Sequence, residues 1–225
     1  MQEHANQPLC DFVEYPQQEM LSRAEDFLAN SKRRHSIRAF SDRAVPQEII
    51  EACIKAAGTA PSGANHQPWH FVAISNPEKK KQIRVAAEEL EQSFYQGRAG
   101  DEWLDALKPL GTDAQKPYLE HAPWLIAIFS QKKGGVHAQD QHTNYYVHES
   151  VGIATGFLIQ ALHNAGLATL THTPKPMSFL TELCGRNRDN ERPYMLLVAG
   201  YPSEDATIPE HATVKKSLSE IATFI

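Results

Sequence analysis

Residues 59–69 read Thr59-Ala60-Pro61-Ser62-Gly63-Ala64-Asn65-His66-Gln67-Pro68-Trp69, between a helical pattern that ends at Gly58 and an apolar run, 69–75. Small residues, two prolines and an asparagine predict a turn here. Such a loop offers backbone N–H groups and few side chains, which suits close approach to a flat or phosphorylated ligand. An ordinary helix-to-strand connection made of the same residue types explains the segment equally well.

The composition restricts the class of protein. The chain has 225 residues, of which 41% are hydrophobic and 22% charged, and its net charge is -5. One domain is expected, two are compatible with the length, and without a basic stripe no nucleic-acid partner is expected. The three cysteines (Cys10, Cys53 and Cys184) show no CxxC spacing, which predicts a reducing compartment and no zinc or other metal site.

Targeting and cofactor motifs narrow the choice further. The N-terminus is polar and no apolar run approaches the ~20 residues of a membrane span, so we expect a cytoplasmic protein without a membrane partner. The sequence contains no G-x-G-x-x-G after its first strand, no P-loop motif and no G-x-S-x-G elbow. These absences argue against a Rossmann dinucleotide site, a P-loop nucleotide site and an α/β-hydrolase.

Helical and strand patterns alternate along the chain. Apolar spacing predicts helices over 17–32, 46–57, 77–95, 145–164 and 179–183, and strands over 70–74, 124–129, 167–171 and 193–200. Residues 131–143 are predicted to form a loop. The domain prediction is an N-terminal arm and helix (1–32) followed by one domain (33–225), with a C-terminal extension at about 203–225. The helix over 145–164 is apolar around most of its circumference, which predicts burial on nearly all sides, at the centre of a core or in a dimer.

The segment 88–118 differs from the rest because it mixes charged and aromatic residues with glycines. Glu91 and Tyr95 lie four residues apart and so share one face of a helix. A solvated helical face explains this composition, and so does a mobile lid that supplies polar contacts to a ligand.

Two further segments allow both a structural and a functional interpretation. The basic segment 33–40 is either a solvated charge run or an anion clamp, because arginine side chains match phosphate geometry. The hydroxyls of Thr171 and Thr173 end a strand, where they act either as capping groups or as ligand contacts. His172 on its own is typical of a core or surface histidine whose hydrogen bonds are satisfied. Lys215 and Lys216 are typical of a charged pair on the surface.

Taken together, three motifs identify a family. Arg34-His35-Ser36-Ile37-Arg38-Ala39-Phe40, then 60–69, then Gly200-Tyr201-Pro202 with the basic pair resemble the FMN-dependent nitroreductase superfamily. The match runs from about residue 32 to the end of the chain. Within that superfamily the lid segment and the Thr171–Pro174 region resemble the iodotyrosine deiodinase branch. The resemblance implies an α+β, nitroreductase-like fold, with a mixed, mostly antiparallel sheet flanked by helices in an intertwined homodimer.

The resemblance also implies a set of FMN-binding residues and their roles. Arg38 is expected near the pyrimidine edge of the flavin, and Thr173 is expected near flavin N5 as the catalytic hydroxyl. The loop 61–65 is expected to reach the flavin of the partner subunit. The full set of implied cofactor-binding residues is Arg34, His35, Ser36, Arg38, Pro61, Ser62, Gly63, Asn65, Thr171, His172, Thr173, Lys215 and Lys216.

The implied substrate is a halotyrosine zwitterion such as 3-iodo-L-tyrosine. Glu91 is expected to bind its ammonium, Lys116 and Tyr95 its carboxylate, and the backbone N–H of Ala64 its phenolate oxygen. The implied activity is reductive dehalogenation to tyrosine and iodide, with NAD(P)H or a reductase as the electron source. The alternatives are a general NAD(P)H-dependent nitroreductase or quinone reductase, and a non-catalytic flavin- or halotyrosine-binding protein.

Overall fold

The computed structural model describes residues 6–98, 100–137 and 139–225, so residues 1–5 of the predicted N-terminal arm lie outside the described residues. The chain divides into two compact units, Met1–Arg34 and His35–Ile225. The first unit contains helix α1 (Gln17–Lys32), which starts and ends as predicted. No residue of α1 is buried, and its apolar stripe is exposed at Met20, Leu21, Phe27 and Leu28.

The second unit contains the remaining helices and strands. The helices are α2 (Gln47–Gly58), α3 (Pro77–Ser93), α4 (Asp101–Leu107), α5 (Tyr118–His121), α6 (Val147–Asn164), α7 (Ser178–Leu183) and α8 (Leu218–Ile221). The strands are β1 (Trp69–Ile74), β2 (Trp124–Gln131), β3 (Lys133–Gly134), β4 (His142–Thr143), β5 (Ala168–His172) and β6 (Glu191–Gly200). Short 3₁₀ segments lie at Gly63–Asn65, Lys108–Leu110 and Glu210–Thr213.

A four-stranded antiparallel sheet forms the centre of the second unit, in the order β1-β2-β6-β5. A parallel bridge between Ser36 and Thr169 adds the segment after α1 to its edge. The sheet is therefore mixed and mostly antiparallel, as predicted. Strand β2 is apolar along its length because helices cover both faces of the sheet, and seven of its eight residues are buried.

Alternation along β2 distributes its side chains between two hydrophobic cores, since successive residues of a strand face opposite sides. Leu125, Ala127 and Phe129 lie in the core that includes α3, α5 and α7. Trp124, Ile126 and Ile128 lie in the core that includes α2 and α6. The sheet thus separates the two cores, and the end of β5 is held by its pairing with β6 and by Leu170 in the first of these cores.

One prediction of local structure is wrong, and another is reduced to one of its two alternatives. Within this chain α6 is exposed on one side, because Ile153 and Phe157 are each more than two-fifths exposed (42% and 43%). Its other face packs on the sheet through Val151, Leu158 and Leu162. A position at the centre of the core is therefore excluded, and burial in a dimer stays a prediction. The predicted loop 131–143 contains the small hairpin β3–β4, in which Lys133 pairs with Thr143.

The segment between α3 and α5 consists of short helical pieces, as its glycines predict. Helix α3 starts with Asn76, whose side chain accepts a hydrogen bond from Lys79 N–H, and Pro77 occupies the first turn. A π-helical turn, Phe94–Arg98, follows α3 and contains Gly97 at φ 135°. Gly111, at φ 60°, ends the 3₁₀ segment that follows α4. Of the predicted lid segment 88–118, we keep the name lid for residues 88–116, because Tyr118 begins the helix α5. Within the described residues, no helix is both long enough and apolar enough to cross a bilayer.

Candidate active site

A cavity of about 340 Å³ lies where the end of β5 meets the lid. One wall, which we call the floor, comes from Arg38, from Tyr118 and from residues 170–175 at and beyond the end of β5. The other wall comes from the lid. The lid residues that line the cavity are Leu90, Glu91, Phe94, Tyr95, Trp103, Leu107, Thr112 and Lys116.

Backbone pairing with the sheet fixes Arg38 in the floor. Ser36 forms a parallel bridge with Thr169, and Ile37 N–H donates to Thr169 O (3.4 Å). On the other side, Ser41 N–H donates to Tyr201 O (3.0 Å). The short stretch 36–41 therefore runs beside β5 and brings Arg38 to the same cavity as Thr171, His172 and Thr173.

The floor also contains a buried polar pair. Tyr118 Oη lies 3.4 Å from His172 Nδ1, and both residues are buried. The second ring nitrogen of His172, Nε2, has no hydrogen-bond partner among the described residues. Burial, and then the charges of Lys116 and Arg38, lower the pKa of His172 to about 3, so the ring is neutral. Burial likewise raises the pKa of Tyr118, so its hydroxyl keeps its proton.

The lid wall places a carboxylate, an ammonium and a phenol together. Lys116 Nζ lies 3.4 Å from Glu91 Oε2, and both side chains are largely withdrawn from solvent. Lys116 Nζ also donates to Asp113 O. Tyr95 Oη donates to Thr112 Oγ1 (2.9 Å), and Lys116 Nζ lies 5.6 Å from the centre of the Tyr95 ring. The charges of Glu91 and Lys116 therefore balance each other within the lid.

Glu88 attaches the two ends of the lid to each other. Its carboxylate accepts a hydrogen bond from Lys116 N–H (2.6 Å) and forms an ion pair with Arg84 (2.9 Å). Burial raises the pKa of the Glu88 carboxyl, but the hydrogen bond from Lys116 N–H and the Arg84 guanidinium outweigh burial and lower it. Since Glu91 lies one helical turn after Glu88, this contact fixes Lys116 beside Glu91.

The loop 61–65 lies elsewhere in the second unit. Ala64 and Asn65 have φ of 51° and 55°, and both are exposed. Gly63 packs so closely on the chain before α6 that an added Cβ would lie 2.7 Å from Tyr145 O. Positive φ values in non-glycine residues cost free energy and cluster at functional sites. This loop is therefore held in a strained form.

Hydrogen bonds hold this loop in place. Gln67 N–H donates to Ser62 Oγ (2.9 Å), and Gly63 N–H donates to Ser150 Oγ of α6 (3.3 Å). None of the loop residues Pro61, Ser62, Gly63, Ala64 and Asn65 is among the described residues that line the cavity.

The remaining predicted site residues are not brought into the cavity either. Arg34 ends the first unit. His35 and Ser36 are half-buried, and neither is among the described residues lining the cavity. Lys215 and Lys216 are exposed, and Lys215 Nζ donates to Ala212 O (2.7 Å). The structure thus assembles Arg38, Thr171, His172, Thr173, Glu91, Tyr95 and Lys116, and the roles of the others stay predictions.

The sequence interpretation missed three residues of this site. Tyr118 and Thr112 line the cavity, and the Glu88 carboxylate holds Lys116 by accepting a hydrogen bond from its backbone N–H. Tyr118 follows Lys116 by two residues, but no motif links it to His172, 54 positions away. Glu88 is three residues before Glu91, on the same helical face, which was an available signal.

Comparison with known proteins identifies the family of the chain. The nitroreductase family matches residues 31–201. The iodotyrosine deiodinase of Haliscomenobacter hydrossis is 48% identical over 198 residues, 88% of this chain and 89% of that protein. The iodotyrosine deiodinase of Hydra vulgaris is 43% identical over 220 residues, 95% of this chain and 80% of that protein.

Solved structures show the same fold. A crystal structure of oxidised iodotyrosine deiodinase bound to FMN and 3-iodo-L-tyrosine has a TM-score of 0.69 at 32% identity, over 79% of this chain and 90% of that chain. A nitroreductase with bound FMN from Bacteroides fragilis has a TM-score of 0.62 at 22% identity, over 89% of this chain and 98% of that chain, a likeness of fold alone. The fold is therefore nitroreductase-like, and the chain belongs to the nitroreductase family and, within it, to the iodotyrosine deiodinases.

Proposed function

We propose that this chain catalyses the flavin-dependent reductive dehalogenation of halotyrosines, converting 3-iodo-L-tyrosine to tyrosine and iodide. One observation carries the proposal: Glu91, Tyr95 and Lys116 line the same cavity as Arg38 and the end of β5. A flavin reductase of simple aromatic substrates does not need a paired carboxylate and ammonium in its cavity. A substrate that is itself an amino acid does.

The floor fits FMN. Arg38 would balance the negative charge of a reduced flavin and Thr173 would supply a hydroxyl, because both line the cavity together with His172. Reduced FMN, when bound, supplies the two electrons that the reaction requires. Thr171 contributes to the same floor. Arg34, His35, Ser36 and Lys215 or Lys216 are proposed to hold the phosphate and ribityl chain, from the family resemblance.

The lid binds the amino-acid part of the substrate by exchanging charge partners. Glu91 and Lys116 neutralise each other at 3.4 Å. A zwitterion inserted between them gives the ammonium to Glu91 and the carboxylate to Lys116, with the Tyr95 hydroxyl as a neutral donor. A ligand carrying only one charge leaves one of the two buried groups without a partner, which is costly. The lid therefore selects zwitterions.

A homodimer completes the site in this proposal. The loop 61–65 has exposed, strained residues and does not line the cavity of its own chain. Tyr145 and Tyr146 beside it, and Ile153 and Phe157 on α6, expose apolar surface. Burying that surface against a second copy is favourable. It also allows the loop of one subunit, with Ala64 N–H, to approach the flavin and the substrate phenol of the other.

The overall balance of the reaction is simple. The ring carbon loses iodide and gains a proton and two electrons. The chain contributes by holding the zwitterion, excluding water and stabilising charge near the cofactor. The electrons come ultimately from NAD(P)H or from a reductase.

Iodide release tests the proposal. The protein, loaded with FMN and reduced by dithionite, is mixed with 3-iodo-L-tyrosine, and free iodide is measured. We expect one iodide for each substrate consumed, and tyrosine as the organic product. Rapid reduction of nitroaromatics by NAD(P)H with no release of iodide would instead indicate a general nitroreductase. Tight binding of iodotyrosine without turnover would indicate a binding protein.

A further inference from the structure

Glu91 and Lys116, the charge pair of the lid, are positioned in different ways. Glu91 belongs to the last turn of α3, so the helix itself fixes its backbone. Lys116 lies in an irregular stretch between the 3₁₀ segment 108–110 and α5. A side chain on such a stretch is placed only as well as the surrounding contacts hold its backbone. The contacts of the Lys116 backbone therefore decide whether its ammonium is in place for a ligand.

We propose that Glu88 is a positioning residue for substrate selectivity, which holds the backbone of Lys116 so that the Lys116 ammonium is ready to bind the carboxylate of an amino-acid ligand. This inference rests on the proposed function, because it needs a ligand carboxylate at Lys116. It adds a residue that is not among the described residues lining the cavity. It also assigns to that residue only one half of the charge pair.

The contacts between Lys116 and α3 show why Glu88 is needed. The Lys116 ammonium pairs with Glu91 at 3.4 Å, but a zwitterionic ligand replaces this contact. The hydrogen bond from Lys116 N–H to Glu88 Oε1 (2.6 Å) uses the backbone and is kept. Lys116 Nζ also donates to Asp113 O, which belongs to the same irregular stretch and so does not fasten it to α3. Glu88 therefore keeps Lys116 beside α3 while the ligand enters.

A row of side chains on α3 limits the effect of Glu88 to this stretch. Lys80, Arg84 and Glu88 are four residues apart and share one face of the helix. Lys80 Nζ donates to Ala122 O (2.7 Å) at the end of α5, and Arg84 Nη1 donates to Glu120 Oε2 (3.2 Å). Both contacts fasten α5 itself. Removal of the Glu88 carboxylate should therefore leave α5 in place and loosen only the stretch before it.

Two ligands that differ in one charge test the proposal in the variant Glu88→Ala. The oxidised, FMN-loaded protein is titrated with 3-iodo-L-tyrosine, which carries both charges, and with 3-iodotyramine, which carries only the ammonium. The dissociation constant of iodotyrosine should rise about fivefold, because Lys116 must then be ordered on binding. That of iodotyramine should stay unchanged, because α3 still holds Glu91. An equal loss for both ligands, or no loss for iodotyrosine, would overturn the proposal.

Two further variants separate the hydrogen bond from the loss of charge. Glu89→Ala is the matched control, since Glu89 is the exposed neighbour of Glu88 on the same helix and lines a separate groove. It should bind both ligands as the unaltered protein does. Glu88→Gln keeps an acceptor oxygen and should bind iodotyrosine to within about twofold of the unaltered protein. If Glu88→Gln were as weak as Glu88→Ala, the charge and not the hydrogen bond would matter, and the positioning role would be wrong.

A double-mutant cycle tests whether Glu88 acts through Lys116. In the Lys116→Met background, Glu88→Ala should cause no further loss of iodotyrosine affinity. Losses that simply add would show that Glu88 acts without Lys116, and would contradict the proposal.

Amide hydrogen exchange tests the contact without substrate. Glu88→Ala should speed exchange at the Lys116 amide by about tenfold and leave exchange in β2 unchanged, because the loosening is local. Unchanged exchange at Lys116 would overturn the positioning role, whatever the protein binds. If instead the unaltered protein bound no iodotyrosine, the proposed function would fail, so the two failures are distinguishable.

Discussion

The two walls of the cavity are built in different ways. The floor is part of the sheet: Arg38 lies beside β5, and Thr171 and His172 end that strand. The lid is a chain of short helical pieces joined at Gly97 and Gly111, and its polar groups contact mainly each other. The floor is thus held by the pairing of β5 and, through Leu170 and Tyr118, by the core that includes α3, α5 and α7, whereas the polar groups of the lid are held by a few hydrogen bonds and ion pairs.

This difference assigns different tasks to the two walls. A cofactor that stays bound needs a preformed site, which a sheet edge provides. A substrate that enters and leaves needs a wall that opens, and segments with few buried apolar contacts open at low cost. We therefore expect changes in the floor to affect FMN and stability, and changes in the lid to affect the amino-acid substrate.

The largest expected effect concerns the floor, at acid pH. His172 has a pKa of about 3 in the folded chain, lowered by burial and then by Lys116 and Arg38. An unfolded histidine takes up its proton near pH 6.5, so below that pH the unfolded chain binds one more proton than the folded chain. The free energy of unfolding should therefore fall as the pH decreases from about 6.5 towards 3, by roughly 1.4 kcal/mol per pH unit from this residue.

Denaturant unfolding of the apoprotein at pH 6 and pH 4 measures this effect. The variant Tyr118→Phe/His172→Phe should lose less stability than the unaltered protein over this interval, by about 2.5 kcal/mol. The exposed His211 provides a control, since His211→Phe should leave the slope unchanged. Equal slopes in the double variant and the unaltered protein would show that His172 is not buried in its neutral form.

The next effect concerns the lid. Glu91→Gln removes the carboxylate proposed to bind the substrate ammonium, and it leaves Lys116 without its partner at 3.4 Å. A charge-assisted hydrogen bond contributes about 2 kcal/mol, so we expect roughly 30-fold weaker binding of 3-iodo-L-tyrosine with unchanged FMN affinity. Titration of the oxidised holoprotein, followed by flavin fluorescence, measures both.

Glu89→Gln is the matched control for the lid. Glu89 lies on the same helix two residues earlier, is exposed, and faces a separate groove with Val85 and Phe179. The variant Glu89→Gln should bind substrate as the unaltered protein does. Loss of FMN from Glu91→Gln, with substrate affinity intact, would break the division of tasks between the two walls.

A smaller effect is expected from Arg38 in the floor. Arg38→Gln keeps a polar side chain but removes the cation beside the proposed flavin, and FMN affinity should fall by about tenfold. Arg43→Gln is the control: the Arg43 guanidinium lies over the Tyr201 ring, 4.0 Å from its centre, and it is not among the described residues that line the cavity. If both variants bound FMN equally well, Arg38 would not belong to the cofactor site.

The sequence predicts the sheet strands and helix starts well because these depend on local chemistry. The apolar run 124–129 and the pair Asn76–Pro77 each specify their own structure, and β2 and α3 follow. The exposed face of α6 could not be predicted. The helix carries apolar side chains around most of its circumference. Only the assembled sheet shows that some of them, such as Val151, are buried and others, such as Phe157, are exposed.

The same distinction applies to the site. The residues carried by motifs, Arg38 and Thr171 to Thr173, do meet in one cavity. Tyr118 was missed because its partner His172 is 54 positions away in the chain and only the folded structure brings the two within 3.4 Å. The position of Glu88, one turn before Glu91, was a signal that it belongs to the same face, but its contact with the backbone N–H of Lys116 could not be predicted, because residue types do not specify a backbone donor.

The smallest expected effect concerns the contact between Tyr95 and Thr112 in the lid. The Tyr95 hydroxyl donates to Thr112 Oγ1 at 2.9 Å in the ligand-free chain. Both hydroxyls rotate, so Thr112 can become the donor to Tyr95 while Tyr95 donates to a substrate carboxylate. Thr112→Val keeps the shape and removes this support, and the dissociation constant for 3-iodo-L-tyrosine should rise about threefold.

Thr112→Ser keeps the hydroxyl and should bind substrate as the unaltered protein does. The sign of the Thr112→Val effect is the informative result. Weaker binding means that Thr112 holds Tyr95 in its binding position, so the lid is partly preorganised. Tighter binding means that Thr112 holds Tyr95 away from the ligand, in which case the ligand-free lid is a closed state that the substrate must open, and the contrast with the rigid floor is sharper still.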